Sequence, residues 1–398
     1  MDIERFDYKS ELAHLVNQSL HHDRAMRVMS QPIHVVWNIT LLLAVGLLAD
    51  GGRATSEAAA AEVMAVPSPG GQPIAAKMDA QGVLHLVCDA DGGPRYYRSE
   101  DGGRTFGRPL PIVVRAMGHA KPAGLEYTVW DLAVAPNGQV HVALGTNAWK
   151  LKLPKDQWGF HYARLAPGGT AFEPLRNING KPSEGFSLAV DGRGNVAACW
   201  LADKLYANLS SDSGATFGPI REIDSSLNPC NCCTTSAAFG ADGTLAILYR
   251  EETNNDRDMF VVLWNAQSGK VARKPVSSTS WKIDACPMTY YSIESCGDGY
   301  VAAWPTRGRV YFARLDASGR RQAPLEVATS GQTGMRTGLR AVANSRGSML
   351  IVWNHENKVG WQAYTADGRT DGVSGRVSTS GKGAAAVANA KGDFVIVH

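Results

Sequence analysis

Ser99-Glu100-Asp101-Gly102-Gly103-Arg104-Thr105-Phe106 returns further along the chain as Ser210-Ser211-Asp212-Ser213-Gly214-Ala215-Thr216-Phe217. Both copies read S-x-D-x-G-x-T-F. Each follows a short alternating run (residues 95–98 and 205–209) and leads through Gly and Pro into another apolar run. The pattern spells out a β-hairpin turn. The Asp carboxylate accepts bonds from turn amides, the Gly takes a positive φ, and the aromatic folds back onto the sheet.

Working outward from these turns, the chain from Pro73 onward has a period of roughly 50 residues, the mark of a repeat architecture. Each unit opens with an apolar strand, a polar Gly turn and a second strand. These first halves fall at residues 74–88, 128–144, 186–200, 236–250, 290–304, 339–353 and 384–398. The second half is another hairpin, which carries the S-x-D-x-G-x-T-F turn in the first and third units. Worn versions stand at 165–172 and 315–319. Four strands per unit at this period predict an all-β propeller. Seven first halves against six second halves predict six complete four-stranded blades plus a partial seventh, closed by residues near 62–66. A six-bladed ring is the alternative. No linker or low-complexity stretch interrupts residues 62–398, which read as one domain.

The two turns resemble the Asp-box (BNR repeat) of sialidase-like β-propellers. The resemblance implies the propeller fold, with the boxes serving as structural turns. Active sialidases of that family carry an Arg-Ile-Pro motif on the first strand, three arginines for the substrate carboxylate, a Tyr–Glu nucleophile pair and an Asp acid. The matching strand here reads Gln72-Pro73-Ile74-Ala75-Ala76-Lys77, without the arginine. The order C-x-C-C, Tyr-Arg-Glu, Arg-Asp and Ala-Cys-Pro is similar to that of exported bacterial Asp-box proteins.

Composition fits this reading. Hydrophobic residues make up 44% of the 398, enough for a buried core, and 42 Gly with 19 Pro supply many tight turns. A net charge of +3 with no basic run gives nucleic-acid binding no support. Residues 1–61 follow the order of a secretory signal peptide. Arg24 and Arg27 precede an apolar run centred on Leu41 to Ala49, and small residues follow. Met26 or Met29 would be a more ordinary start, so a spurious extension over the first 25 residues is an expectation of this reading. The expected location is periplasmic or secreted, as a monomer with no stable membrane insertion after cleavage.

In a propeller, the loops entering each innermost strand and leaving the second gather around one mouth of the channel. The S-x-D-x-G-x-T-F turns fall on the other face. The mouth face receives Pro229-Cys230-Asn231-Cys232-Cys233 before the fourth unit and Asp284-Ala285-Cys286-Pro287-Met288 before the fifth. Cys230, Cys232, Cys233 and Cys286 should therefore converge. One reading is a thiolate site for copper or zinc, with Met288 assisting Cu(I). The other is a disulfide from Cys230 or Cys232 to Cys286, closing a loop of about 55 residues for roughly 4 kcal/mol. C-x-C-C lacks the paired C-x-x-C spacing of a zinc ribbon. The total of seven cysteines leaves at least one thiol free.

Cys88, Cys199, His85 and His141 read as core residues of second strands. Trp200, Trp304 and Trp353 either pack between blades or line the mouth. The charged residues on this face (Arg250, Glu251, Asp256, Arg257, Asp258, Arg307, Arg336, Arg340) form either a solvated rim or a polar pocket. The loop 145–159, with Trp149 and Trp158, can act as a lid. The expected function is an exported binding protein with a cysteine-rich, soft-metal site at the channel mouth and a small-molecule, metal or glycan ligand. The alternative is a sialidase-like glycoside hydrolase or glycan-binding protein using Arg250, Glu251, Asp258, Arg307 and Arg336.

Overall fold

A computed structural model of the chain describes residues 61–114 and 122–398. The signal-like stretch up to residue 60 lies outside the described residues. Among those described, no helix is long and apolar enough to cross a membrane.

The chain forms a seven-bladed β-propeller. Among the described residues, six sheets have four strands each, taken in sequence order, and the seventh has three. Strands are lettered A to D from the channel outward. Each strand A lies beside strand A of the next blade, and that of blade 7 returns to blade 1. The last sheet pairs Ala385–Ala388 with Phe394–Val397, and Val63–Val66 joins it in parallel. The ring is thus closed by the N-terminal strand expected near residues 62–66.

Packing between blades explains the strand sequences. Strand B is covered on both faces by neighbouring blades, so it reads as a continuous apolar run. All six residues of Leu245–Arg250 and all eight of Gly299–Thr306 are buried. One cluster joins Leu248, Met259 and Val261 of blade 4 to Tyr300, Ala302 and Trp304 of blade 5. Large aliphatic side chains such as Leu248, Met259 and Val261 each contribute about 1.5–3 kcal/mol when fully buried. The outer strand Thr370–Ser378 instead alternates between exposed and half-buried residues. Trp200, Trp304 and Trp353 are all at or below 4% exposure and pack in the layers between blades.

The repeated turn is built as its sequence spells. Ser99 Oγ donates to Asp101 Oδ1 at 2.8 Å, and the same oxygen accepts from Thr105 N at 2.9 Å. In the second copy, Ser210 and Thr216 make the same bonds to Asp212 at 2.7 and 2.8 Å. Phe106 meets Tyr97 edge-on, and Phe217 meets Tyr162 of the preceding blade in the same way. His85 and His141 are buried and hydrogen-bonded to Tyr96 and Tyr162 at 2.7 and 2.6 Å, as core histidines.

Candidate functional site at the channel mouth

The loops entering blades 4 and 5 are joined by strand-like pairing on the mouth face. Cys230 N donates to Arg250 O at the end of strand B of blade 4 (2.8 Å), and Glu252 N donates to Asn228 O (2.8 Å). The turn between strands B and C of blade 4 then reaches the entry loop of blade 5. Arg257 N donates to Trp281 O and Ile283 N donates to Asn255 O. This pairing carries Cys286 up to the first loop.

All four predicted cysteines converge. Cys232 and Cys286 form a disulfide across the two loops. Cys230 Sγ lies 3.7 Å from Cys232 Sγ and 3.8 Å from Cys286 Sγ, and the Cys233 thiol donates to it at 3.3 Å. The sulfurs of Cys230, Cys233 and Cys286 lie within 4.8 Å of one another. Cys230 and Cys233 are buried. They are three residues apart, and Cys233 N donates to Cys230 O at 3.0 Å, so the C-x-C-C run contains a folded C-x-x-C turn. Cys88 and Cys199 are buried strand residues, as expected.

The surroundings of the sulfurs are cationic. Arg257 Nη1 donates to Cys230 Sγ at 3.0 Å. The Cys233 hydrogen bond, with Arg257 and Arg250 beside it, holds the Cys230 thiol below its ordinary range despite burial. The same hydrogen bond, together with burial, pushes Cys233 up. Arg250, expected as a rim charge or ligand-binding group, is fully buried. Its Nη2 donates to Pro305 O at 2.7 Å and Nη1 to Arg257 O, while its guanidinium lies 5.0 Å over the Trp281 ring. Tyr291, absent from the sequence-level candidates, lies beneath it. Arg250 N donates to Tyr291 Oη (3.2 Å), and that hydroxyl donates to Thr234 O.

Beside the cysteines opens a cavity of about 470 Å³, lined among others by Trp130, Trp158, Phe186, Tyr290, Arg336 and Cys232. A smaller space of about 120 Å³ continues into the channel past Asp89, Asp131 and Arg340. It shares Trp130, Phe186, Tyr290 and Arg336 with the first. Burial raises the Asp89 carboxyl to about 6. The expected lid contributes Trp149, Lys150 and Trp158 to the wall.

Of the five charged residues expected at a glycan site, Arg336 lines this cavity, with Nη2 at 3.9 Å from Glu184 Oε2. The other four do not join it. Glu251 is buried, accepting from Tyr249 Oη at 2.7 Å and paired with Arg273 at 3.2 Å. Asp258 accepts from Trp281 N at 3.1 Å, and Arg307 is exposed on a turn. Arg250 is thus held by Pro305 of the next blade, and Glu251 by Tyr249 and Arg273 of its own blade.

No protein family and no curated protein matches the sequence. Among solved structures the chain is similar to a polysaccharide lyase, an ulvan lyase. The identity is 11% over 80% of this chain and 87% of the other, with a TM-score of 0.47. It is also similar to a leech intramolecular trans-sialidase, at 10% identity over 71% of this chain and 64% of the other, with a TM-score of 0.46. The major Malassezia sympodialis allergen Mala s 1 gives 11%, 77%, 91% and 0.47 in the same order.

Proposed function

We propose that the protein is an exported binding propeller whose mouth holds one soft metal ion, copper or zinc, on cysteine thiolates. The observation that carries this reading is the convergence of Cys230, Cys233 and Cys286 within 4.8 Å from two adjacent blades. Cys286 is bonded to Cys232 in the disulfide, so metal and disulfide are alternative ways to close the same four sulfurs. Two-electron reduction by a dithiol releases Cys232 and Cys286 and completes a four-thiolate set for Zn²⁺, or a three-thiolate set for Cu(I). Either set leaves two negative charges on the metal centre. Arg257 at 3.0 Å and the buried Arg250 supply two positive charges beside it. The disulfide itself supports an oxidising compartment.

The test is a titration of fully reduced protein with Zn²⁺ and, without oxygen, with Cu(I). The expected result is one equivalent bound, lost in a Cys230→Ser/Cys233→Ser variant that keeps its fold. Equal binding by that variant overturns the reading.

The cavity favours a second reading, a small glycan ligand. Trp130, Phe186 and Tyr290 offer aromatic faces, and Arg336 offers a cation to an acidic substituent. Binding of uronic-acid oligosaccharides that Arg336→Ala weakens more than tenfold supports it. Undiminished binding by that variant opposes it.

A further inference from the structure

The disulfide and the two buried thiols form one group. Cys230 Sγ touches both disulfide sulfurs, at 3.7 and 3.8 Å, and Cys233 Sγ stands 3.3 Å behind it. Two different disulfides are therefore within reach of the same backbone. One joins the entry loops of blades 4 and 5 across 54 residues, and the other closes a C-x-x-C turn within the first loop.

We propose that the four sulfurs are a disulfide-exchange site, in which the bond between Cys232 and Cys286 passes to Cys230 and Cys233. In the first step the Cys230 thiolate attacks Cys232 Sγ. A bond forms between Cys230 and Cys232, and Cys286 leaves as a thiolate. In the second step Cys233 gives its proton to Cys286 and attacks Cys230 Sγ. A bond forms between Cys230 and Cys233, and Cys232 leaves, taking up the proton that Cys230 gave up. One disulfide and two thiols stand on each side, so no external oxidant or reductant is consumed.

Near-equal distances put Cys230 beside the S–S bond, not along its axis. Attack in line with that axis needs a rotation of the Cys230 side chain. That rotation breaks the 3.0 Å bond from Arg257, which therefore holds the group in its resting arrangement. Exchange has two consequences. It removes the covalent tie between blades 4 and 5. It also leaves Cys232, which lines the 470 Å³ cavity, as a free thiol available to a thiol or disulfide ligand there. The exchange requires no metal and stands apart from the metal reading.

The experiment uses the full chain, kept in EDTA and equilibrated in a glutathione redox buffer. Samples are quenched in acid, unfolded, alkylated and digested with trypsin. No Lys or Arg lies between residues 223 and 249, so Cys230, Cys232 and Cys233 share one peptide, while Cys286 falls on another. Two populations are expected. In one, the peptides are linked through Cys232 and Cys286. In the other, they are unlinked, with Cys232 and Cys286 alkylated and an internal disulfide between Cys230 and Cys233. Cys233→Ser should stop after the first step, so that any unlinked form it gives is bonded between Cys230 and Cys232. The wild-type sample decides the matter even where that variant fails to fold. Only the linked form after prolonged equilibration overturns the proposal, as does an unlinked wild-type form whose internal bond joins Cys230 to Cys232 with Cys233 alkylated. Metal binding by the reduced wild type is measured separately, so either idea can fail alone.

Discussion

The Arg250 guanidinium has exchanged its water for the carbonyls of Arg257 and Pro305, the Thr289 hydroxyl and the face of Trp281. Removing it leaves buried acceptors unpaired and opens space against blade 5. Arg250→Ala should cost about 3–5 kcal/mol, read as a lower urea midpoint with an unchanged m-value. An unchanged midpoint would show that Arg250 is not structural. Asp89 makes the opposite contribution. Its folded-state pKa of about 6 lies above the ordinary carboxylate value because burial penalises the charge. A raised carboxyl favours folding below about pH 4, and that advantage is lost as pH rises through 6. Asp89→Asn should therefore match the wild type at pH 4 and exceed its stability by about 2–3 kcal/mol above pH 6. Melting curves of both proteins across that range check the sign. Neither role shows in a single sequence, because both residues stand at strand ends. Burial there depends on the neighbouring blade.

The S-x-D-x-G-x-T-F hairpin was legible because its Ser, Asp and Thr bond to one another within a few residues. A long-range demand falls on Gly214. That residue has φ +76, and a Cβ there would overlap the Tyr162 hydroxyl of the preceding blade. Gly214→Ala should destabilise by about 2–4 kcal/mol, combining backbone strain with overpacking. Gly192→Ala, on an open turn with nothing near its Cβ, should stay within about 0.5 kcal/mol. Denaturant unfolding of the pair separates packing from a general effect of glycine replacement.

The aromatic wall of the cavity was not legible, and strand A explains why. In blades 1, 2 and 3 the register of strand A shifts between Pro73 and Ala75, Val129 and Asp131, and Glu184 and Ser187. Ile74, Trp130 and Phe186 sit in these irregularities, and all three line the channel mouth. A bulge breaks the two-residue alternation from which side-chain direction is read, and re-aims the side chain.

At the scale of the whole molecule, the ring turns sequence period into proximity. Cys230 and Cys286 are 56 residues apart, about one blade, so the same loop position recurs in adjacent blades and their sulfurs meet. That convergence follows from the period alone. The closure by Val63–Val66 also follows, from the mismatch between first and second halves. The chemical state of the sulfurs depends on electrons and metal supplied from outside the fold. The direct measurement is X-ray absorption at the metal edge of the fully reduced protein loaded with one equivalent of Zn²⁺. The expected spectrum shows a shell dominated by sulfur at about 2.3 Å, which loses sulfur neighbours in Cys230→Ser/Cys233→Ser. A wild-type spectrum with only nitrogen and oxygen neighbours would contradict it.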